Sequence, residues 1–263
     1  MPPCTVYART PLFILTLFAS VCGGCLDGGL LITPVSAKKA LVEQVLQRDA
    51  LFACNKIALI DVSGIILNAP EPRLIGTGKH QVSYVKEQFD KARKDPAVKA
   101  VILRINSPGG GVVASELIYD EITHFRKTTH KPVVAVMMDV AASGGYYIAC
   151  ACDEIIAQPS TVTGSIGVIM QLFEFSGTME LIGITSDAIT SGPNKDVGSP
   201  FRKMKPEERE ILQSIVNDMY QRFLSVVDTG RPKLSTQQVR TLADGRVYSA
   251  DQALKAGLID RIS

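Results

Sequence analysis

Short apolar strands alternate with amphipathic helices along this sequence, and that order restricts the possible folds more than any other feature. The segments "KIALIDVSGII" and "VKAVILRIN" are typical of strands, and "QVSYVKEQFDKARKD" between them has its apolar residues at helical spacing. The strands "KPVVAVMMDV" and "DEIIAQ", a long amphipathic helix over 206–229, and a short helix, "SADQALKAGLID", that runs into a final strand complete the series. Alternation in units of about 40 residues predicts an α/β fold with parallel strands.

The N-terminal segment differs in character from the rest of the chain. An apolar core from Leu12 to Val21 follows Arg9 and ends in small residues. This core is shorter than the ~20 apolar residues of a membrane-spanning helix and fits the apolar region of a signal peptide. The residues "CGGC", ending at Cys25, weakly resemble a bacterial lipoprotein box. A buried core helix is the alternative, but the polar, lysine-containing stretch that follows favours an anchor or an export signal.

These features divide the chain into three parts. We expect a signal or anchor segment over 1–36, a connecting helix over 37–55 and one folded domain over 56–263. No low-complexity linker interrupts the third part. The leader predicts that this domain lies outside the cytoplasm.

Composition and charge argue against several classes of function. The 263 residues are 46% hydrophobic, which suits one well-packed domain, and the net charge is only +2. With no basic face and no Trp, the sequence does not predict a nucleic-acid partner. Cys150 and Cys152 lack the spacing of a zinc knuckle or redox motif and are expected to be buried, although a disulfide between one of them and Cys54 stays open. We expect neither a metal nor a cofactor.

A glycine-rich loop follows the strand that ends near residue 106. In "RINSPGGGV", residues 104–112, Pro108 fixes the backbone and three glycines open a helix. Glycines let backbone N–H groups approach a ligand closely, and a helix start favours negative charge. The loop is therefore compatible with a phosphate cradle, an oxyanion hole or a tight turn with no ligand, although it lacks the Lys-Ser/Thr ending of a P-loop.

A second loop, "VAASGGYYIA", centres on Ser143, where a strand gives way to a helix. Capping a helix is a common use of serine at such a position. Gly144 and Gly145 follow directly, and glycine in a helix costs about 1 kcal/mol relative to alanine. That cost is understandable where the backbone must approach a substrate. Ser143 would then be a nucleophile, with the Gly144 N–H as an oxyanion donor in the same turn.

A nucleophilic serine needs a base, and the sequence offers few candidates. His80 lies in a polar loop, and His124 and His130 lie near the end of a surface helix, so none has a setting typical of a catalytic base. Lys195 lies in "SGPNKDVGSPF", a loop shaped by glycines and prolines. A lysine base must be neutral, which requires a drop of about 3 units from the ordinary lysine pKa through burial. The neighbouring Asp196 argues against this role unless its carboxylate points away.

Five motifs, in this order, resemble the bacterial signal peptide peptidase A family in its short, single-repeat form. They are "NSPGGGV", "AASGGYYIA", "TGSIGVI", "SGPNKDVGSPFR" and "GRVYSADQALKAGLID", and the similarity covers about residues 56–263. The resemblance implies a ClpP/crotonase-like α/β fold of repeated ββα units. It also implies a serine protease with a Ser-Lys dyad that degrades cleaved signal peptides at the membrane.

The resemblance further assigns a role to individual residues. It implies that Ser143 is the nucleophile, that Lys195 is the general base, and that Ser165 hydrogen-bonds the lysine amine. The oxyanion hole would be formed by the N–H groups of Gly110 and Gly144. It implies a homo-oligomeric ring, with a dyad that can be completed across a subunit boundary. The expected location is the bacterial inner membrane, with the catalytic domain on the periplasmic side.

Two other classes of function compete with a peptidase. A crotonase-like acyl-CoA enzyme would use the same fold and backbone oxyanion holes, but it typically carries carboxylate acid/base residues where this chain has Ser143 and Lys195. A catalytically silent membrane scaffold is the third possibility. Labelling of Ser143 by a fluorophosphonate would favour the peptidase over both.

Overall fold

The computed structural model describes residues 41–47, 54–70 and 80–263. The leader over 1–36 and more than half of the connecting helix over 37–55 lie outside these residues, so both stay predictions.

Five parallel strands form the main sheet. Their order is β1 (Lys56–Ser63), β2 (Val98–Ser107), β3 (Val133–Ala142), β4 (Glu154–Ala157) and β7 (Arg261–Ile262). Each pairs with its neighbour in parallel. The predicted α/β fold with parallel strands is therefore confirmed. Because the strands run in one direction, their carboxyl ends lie at one edge of the sheet.

Two amphipathic helices connect the first three strands and cover one face of the sheet. Helix α1 (Gln81–Lys94) buries Val85 and Phe89, and helix α2 (Val112–Thr129) buries residues that include Phe125. The rings of Phe89 and Phe125 lie 5.2 Å apart between centroids. Burial of each such side chain contributes about 1.5–3 kcal/mol. The helical spacing seen in the sequence is the pattern of this core.

The helices that follow β3 pack around the same core. Helix α3 (Gly144–Ala149) is fully buried, and Tyr147 contacts Phe223 of helix α5 (Pro206–Gly230) with ring centroids 5.0 Å apart. The buried Tyr146 hydroxyl donates to the Leu258 backbone oxygen at 2.8 Å. The C-terminal part of the chain is thereby fixed against α3.

Several short elements were not predicted from the sequence. Strand β5 (Val162–Gly164) pairs in parallel with the end of β3 and antiparallel with β6 (Val247–Ser249). Helices α4 (Ser176–Leu181) and α6 (Thr236–Leu242) were also missed, whereas α7 (Ala250–Lys255) was expected. Strands of three residues and helices of six or seven are too short to show a clear period in sequence.

Cys150 and Cys152 are buried free thiols, as expected, and Cys54 is exposed. Burial raises the pKa of the Cys150 thiol to about 12, and that of Cys152 rises for the same reason. These thiols are therefore protonated and unreactive near neutral pH. Within the described ranges, no helix has both the length and the apolar character needed to cross a membrane.

Candidate active site

The two glycine loops singled out in the sequence meet at the carboxyl edge of the sheet. Strands β2 and β3 are parallel neighbours, and Ser107 at the end of β2 pairs with Ala141 near the end of β3. The loop that contains Gly109 and Gly110 follows Ser107, and Ser143 follows Ala142. This edge is where ligands bind in α/β sheets.

Ser143 has an unusual backbone conformation, with φ 52° and ψ −119°. A positive φ in a non-glycine residue costs about 1–3 kcal/mol and persists only where its surroundings enforce it. Here the Ser143 N–H donates to the Gly164 oxygen at 2.8 Å, and its carbonyl accepts from Tyr147 N–H at 2.9 Å. Ser143 occupies the N-cap position of α3, but its side chain makes no capping hydrogen bond. The hydroxyl is therefore not used as a cap.

The glycine loop lies directly against the Ser143 turn. A Cβ atom on Gly109 would lie 2.7 Å from Gly144 N and 2.8 Å from Ser143 Cβ. A Cβ atom on Gly144 would lie 2.3 Å from Ser115 Oγ and 3.3 Å from Gly110 N. Such distances exclude a side chain at both positions, so these glycines are needed first for packing of the protein against itself. They also bring the Gly110 and Gly144 amides close together.

Neither of these two amides has a hydrogen-bond acceptor among residues 54–70 and 80–263. Gly144 is the first residue of α3, where N–H groups have no partner within the helix. On either side of Gly110, Ile66 N–H donates to Gly109 O at 2.9 Å, and Gly111 N–H donates to Ile66 O at 2.8 Å. These bonds fix the loop and leave the Gly110 N–H unused. Two such donors beside a serine hydroxyl have the chemistry of an oxyanion hole.

Ser107 supports the glycine loop, and sequence reasoning missed it. Its buried hydroxyl donates to the Gly64 oxygen at 2.6 Å and accepts from Gly109 N–H at 3.1 Å. It therefore links the ends of β1 and β2 to the loop. The only signal in the sequence was a serine before Pro-Gly-Gly, which is also typical of an ordinary turn.

Ser165 lies close to Ser143, whereas Lys195 makes no hydrogen bond to Ser143 in the described residues. Gly164, which accepts the Ser143 N–H, directly precedes Ser165, and Ser165 has a positive φ of 50°. Lys195 is exposed in a series of turns, where its backbone N–H donates to Gly192 O at 3.2 Å. In the described part of the single chain, no hydrogen bond joins the Lys195 amine to Ser143 or Ser165. The structure therefore brings Ser143, Gly110, Gly144 and Ser165 together and, among the described residues, gives Lys195 no hydrogen bond to this group.

The carboxylate of Asp196 is hydrogen-bonded to a residue other than Lys195. Its Oδ2 accepts from Arg202 Nε at 2.6 Å, and this hydrogen bond lowers the pKa of Asp196. Among the described residues, no hydrogen bond joins this carboxylate to the Lys195 amine.

The histidines do not contact Ser143. His124 and His130 are exposed, and they lie nine and fifteen residues beyond Ser115, the α2 residue that approaches Gly144. At 1.5 Å per residue, they are about 13 and 22 Å further along the helix direction. The His80 ring instead shares a hydrogen bond of 3.2 Å with Ser83 Oγ.

An exposed, apolar arm precedes and includes the lysine loop. We call residues 169–200 the arm. Its helix α4 buries no residue, and Leu181 and Ile189 are 88% and 103% exposed. Within the arm, a hydrogen bond of 2.7 Å from Phe175 N–H to Pro200 O joins its first part to its end. Such a concentration of exposed apolar side chains is typical of an interaction surface.

Known proteins with similar sequences identify the fold and then the family. Residues 81–163 match the Clp protease family, and the parallel sheet agrees with a ClpP-like fold. Residues 125–263, more than half of the 263-residue chain, match peptidase family S49. This chain belongs to peptidase family S49.

Individual relatives agree with this assignment. A protein of Enterococcus faecium, provisionally named signal peptide peptidase SppA, is 38% identical over 222 residues, which cover 84% of this chain and 63% of that protein. Protease 4 of Haemophilus influenzae is 38% identical over 79% of this chain and 33% of its own length. The chloroplastic serine protease SPPA of Arabidopsis thaliana is 35% identical over 79% of this chain and 30% of its own length. The chain therefore spans between about a third and two thirds of these relatives.

Proposed function

We propose that this protein is a serine endopeptidase in which Ser143 is the nucleophile and Lys195 is the general base. The observation that carries the proposal is the Ser143 turn. The Ser143 hydroxyl makes no capping hydrogen bond, its backbone is strained, and two amides without acceptors lie beside it. A ClpP-like fold and membership of family S49 support the same chemistry. No hydrogen bond ties the hydroxyl to another described side chain, so it is available for reaction.

The reaction follows from these groups. Ser143 Oγ attacks the carbonyl carbon of the scissile peptide bond while its proton passes to the neutral Lys195 amine. The carbonyl oxygen becomes negatively charged, and the N–H groups of Gly110 and Gly144 bind it. The lysine then donates the proton to the leaving amine, and the peptide C–N bond breaks. Water, deprotonated by the same lysine, releases the acyl group and restores Ser143.

We propose that the lysine reaches Ser143 through self-association. Among residues 41–47, 54–70 and 80–263 of the single chain, no base is hydrogen-bonded to Ser143, and the lysine lies near the end of the apolar arm over residues 169–200. Packing of the arm against a second copy would bury its apolar side chains and bring a lysine to a serine. Burial would also favour the neutral amine that a base requires. Ser165, beside the nucleophile, would accept or donate a hydrogen bond to orient that amine. A closed ring would satisfy every site in the same way.

The proposed substrates are cleaved signal peptides and similar apolar peptides at the membrane. Support comes from the Enterococcus faecium relative, whose name refers to signal peptides, and from the apolar core at Leu12–Val21. Open glycine loops at strand ends can bind an extended peptide through main-chain hydrogen bonds. We propose that the chain is held at the bacterial inner membrane with this domain on the periplasmic side.

A fluorophosphonate probe tests the proposal directly, because it reacts with an activated serine. The full chain is incubated with the probe, digested and analysed by mass spectrometry. We expect the adduct on Ser143, and no adduct in Ser143→Ala or Lys195→Ala. Equal labelling of wild type and Lys195→Ala would contradict the dyad. Absence of any adduct in protein that binds acyl-CoA would favour the crotonase-like alternative, and absence with neither activity would favour a silent scaffold.

A further inference from the structure

A cluster of three charged side chains holds the loop that carries Lys195, and the proposed dyad gives it no role. Arg202 Nε donates to Asp196 Oδ2 at 2.6 Å, and Arg202 Nη2 donates to the Asp196 backbone oxygen at 3.3 Å. The same guanidinium donates to both carboxylate oxygens of Glu208, at 2.8 and 2.5 Å. One arginine therefore connects the residue next to Lys195 to the first turn of α5.

Glu208 is the fixed end of this connection. Only 1% of its surface is exposed, and its Oε2 accepts from the backbone N–H of Lys205, the N-cap of α5, at 3.0 Å. A carboxylate in the first turn of a helix is also stabilised by the helix dipole. The hydrogen bonds from Arg202 and Lys205 lower the pKa of Glu208. It is therefore an ionised anchor in the body of the protein.

Asp196 is the end that affects the reaction. The loop is a series of turns, in which Lys195 N–H donates to Gly192 O at 3.2 Å and Ser199 N–H donates to Asp196 O at 3.0 Å. Fixing Asp196 therefore fixes the adjacent lysine. A carboxylate left without a partner here would favour the charged form of a nearby amine, and a charged amine cannot accept the proton of Ser143. Arg202 forms a hydrogen-bonded ion pair with that carboxylate.

The other charged groups around Asp196 come from the loop, the arm and the start of α5. All are exposed, so water and salt screen them more than the buried Glu208. They are Glu174, Lys203, Lys205 and Arg209. Arg209 makes no side-chain hydrogen bond with Asp196 or Glu208, although it lines the same cavity as Arg202. It offers a matched control for loss of one positive charge.

We propose that Arg202 is a positioning residue for Lys195: it ties the lysine loop to α5 through Asp196 and Glu208 and prevents the Asp196 carboxylate from pairing with the lysine amine. This inference rests on the proposed Ser143–Lys195 dyad. It explains why a lysine can act as a base with an aspartate as its sequence neighbour. The aspartate serves to hold the loop, and the arginine neutralises its charge.

The pH dependence of kcat/KM tests this role, measured on the full chain with an extended, apolar fluorogenic peptide. For a lysine base we expect the activity of the wild type to rise with pH, because only the neutral amine accepts a proton. In Arg202→Gln we expect this rise to move to higher pH by about 0.5–1 unit, because the freed carboxylate favours the charged amine. Arg202→Lys keeps a cation beside Glu208 but cannot reach both acids at once, so an intermediate shift is expected. Arg209→Gln should leave the profile unchanged.

The double variant Arg202→Gln/Asp196→Asn separates charge from structure. Removal of the carboxylate should return the rise in activity to its wild-type pH, even if the maximal rate stays low. If Arg202→Gln and Arg202→Lys lower activity equally at all pH values, or not at all, the positioning role is wrong. If Ser143→Ala or Lys195→Ala keeps activity, the dyad itself fails and this inference fails with it. If both dyad variants are inactive but the pH profile of Arg202→Gln is not shifted, the dyad stands and only the positioning role of Arg202 is wrong.

Discussion

Gly109 and Gly144 lie so close together that a Cβ atom on Gly109 would be 2.7 Å from the Gly144 backbone nitrogen. The contact joins the loop after β2 to the turn after β3. It therefore sets the spacing between the two amides proposed as the oxyanion hole. The geometry of the candidate site depends on this absence of a side chain.

Gly109→Ala should consequently impair both stability and catalysis. Gly109 has φ 102°, and an alanine would add a collision with backbone atoms to the backbone strain. The backbone strain alone costs about 1–3 kcal/mol, and the collision adds to it. We therefore expect a larger loss in the free energy of unfolding, measured by urea denaturation. Gly245→Ala is the matched control, because Gly245 has φ 89° but open space around it. If both variants lose the same stability, the close approach at Gly109 is unimportant.

Ser143→Ala and Ser143→Gly should separate the hydroxyl from the backbone strain. Both should lose peptidase activity, because neither has a nucleophile. Ser143→Gly should be about 1 kcal/mol more stable than Ser143→Ala, since only glycine adopts a φ of 52° without strain. Thermal unfolding and peptide cleavage together check this prediction. Cleavage by Ser143→Ala at near the wild-type rate would refute the nucleophile assignment.

Mixing two inactive variants tests whether the dyad crosses a subunit boundary. In an equimolar mixture of Ser143→Ala and Lys195→Ala, about a quarter of shared sites would combine an intact serine with an intact lysine. We expect activity to return to about that fraction of wild type after the subunits exchange. A mixture of Ser143→Ala with the double variant Ser143→Ala/Lys195→Ala should stay inactive. A monomeric mass for the active enzyme would exclude the shared site.

The three histidines should be dispensable for catalysis. His124 and His130 lie far along α2 from the nucleophile, and the His80 ring is hydrogen-bonded to Ser83. The triple variant to glutamine should keep the wild-type rate and show the same dependence on pH, with no change near pH 6.5, where histidine titrates. A hundredfold loss with the fold intact would instead indicate a Ser-His mechanism.

The buried Glu208 should make the protein sensitive to acid. Its pKa is lowered below the ordinary value of 4.5, chiefly by the hydrogen bond from Arg202. Its contribution to stability is therefore present in full above pH 4.5, and it is lost as the pH falls through the lower pKa of the folded state. Urea midpoints of wild type and Glu208→Gln should differ most near pH 7 and converge as the pH falls through the lowered pKa of Glu208. A constant difference across this range would show that the charge of Glu208 does not contribute.

The sequence predicted the parts of this structure that have a clear period or a distinctive motif. The long helices and the strands from β1 to β4 were predicted because their buried faces repeat over many residues. The Ser143 turn and the glycine loop were singled out as candidate sites because glycines cluster at strand ends, and the structure brings the two together. The cap role of Ser143 could not be excluded in advance, since only the structure shows that its side chain makes no capping hydrogen bond.

The hydrogen-bond partners of individual side chains could not be predicted. The connection from Asp196 through Arg202 to Glu208 joins residues six apart, and its geometry depends on how α5 begins. Ser107 similarly acts through the Gly64 oxygen, 43 residues earlier in the chain. The resemblance implied that the dyad can be completed across a subunit boundary, but the sequence could not show that Lys195 makes no hydrogen bond to Ser143 in the described part of the single chain.

The exposed arm has a consequence for how the rate depends on the amount of protein. If each serine needs a lysine from a neighbour, a solitary chain has no complete site, and the rate per chain rises with concentration until assembly is saturated. Dilution would then separate the subunits and abolish activity without unfolding the chain. A newly made chain would be harmless to the peptides around it until enough copies had collected in one place. The apolar residues over 169–200 would set the concentration at which proteolysis begins.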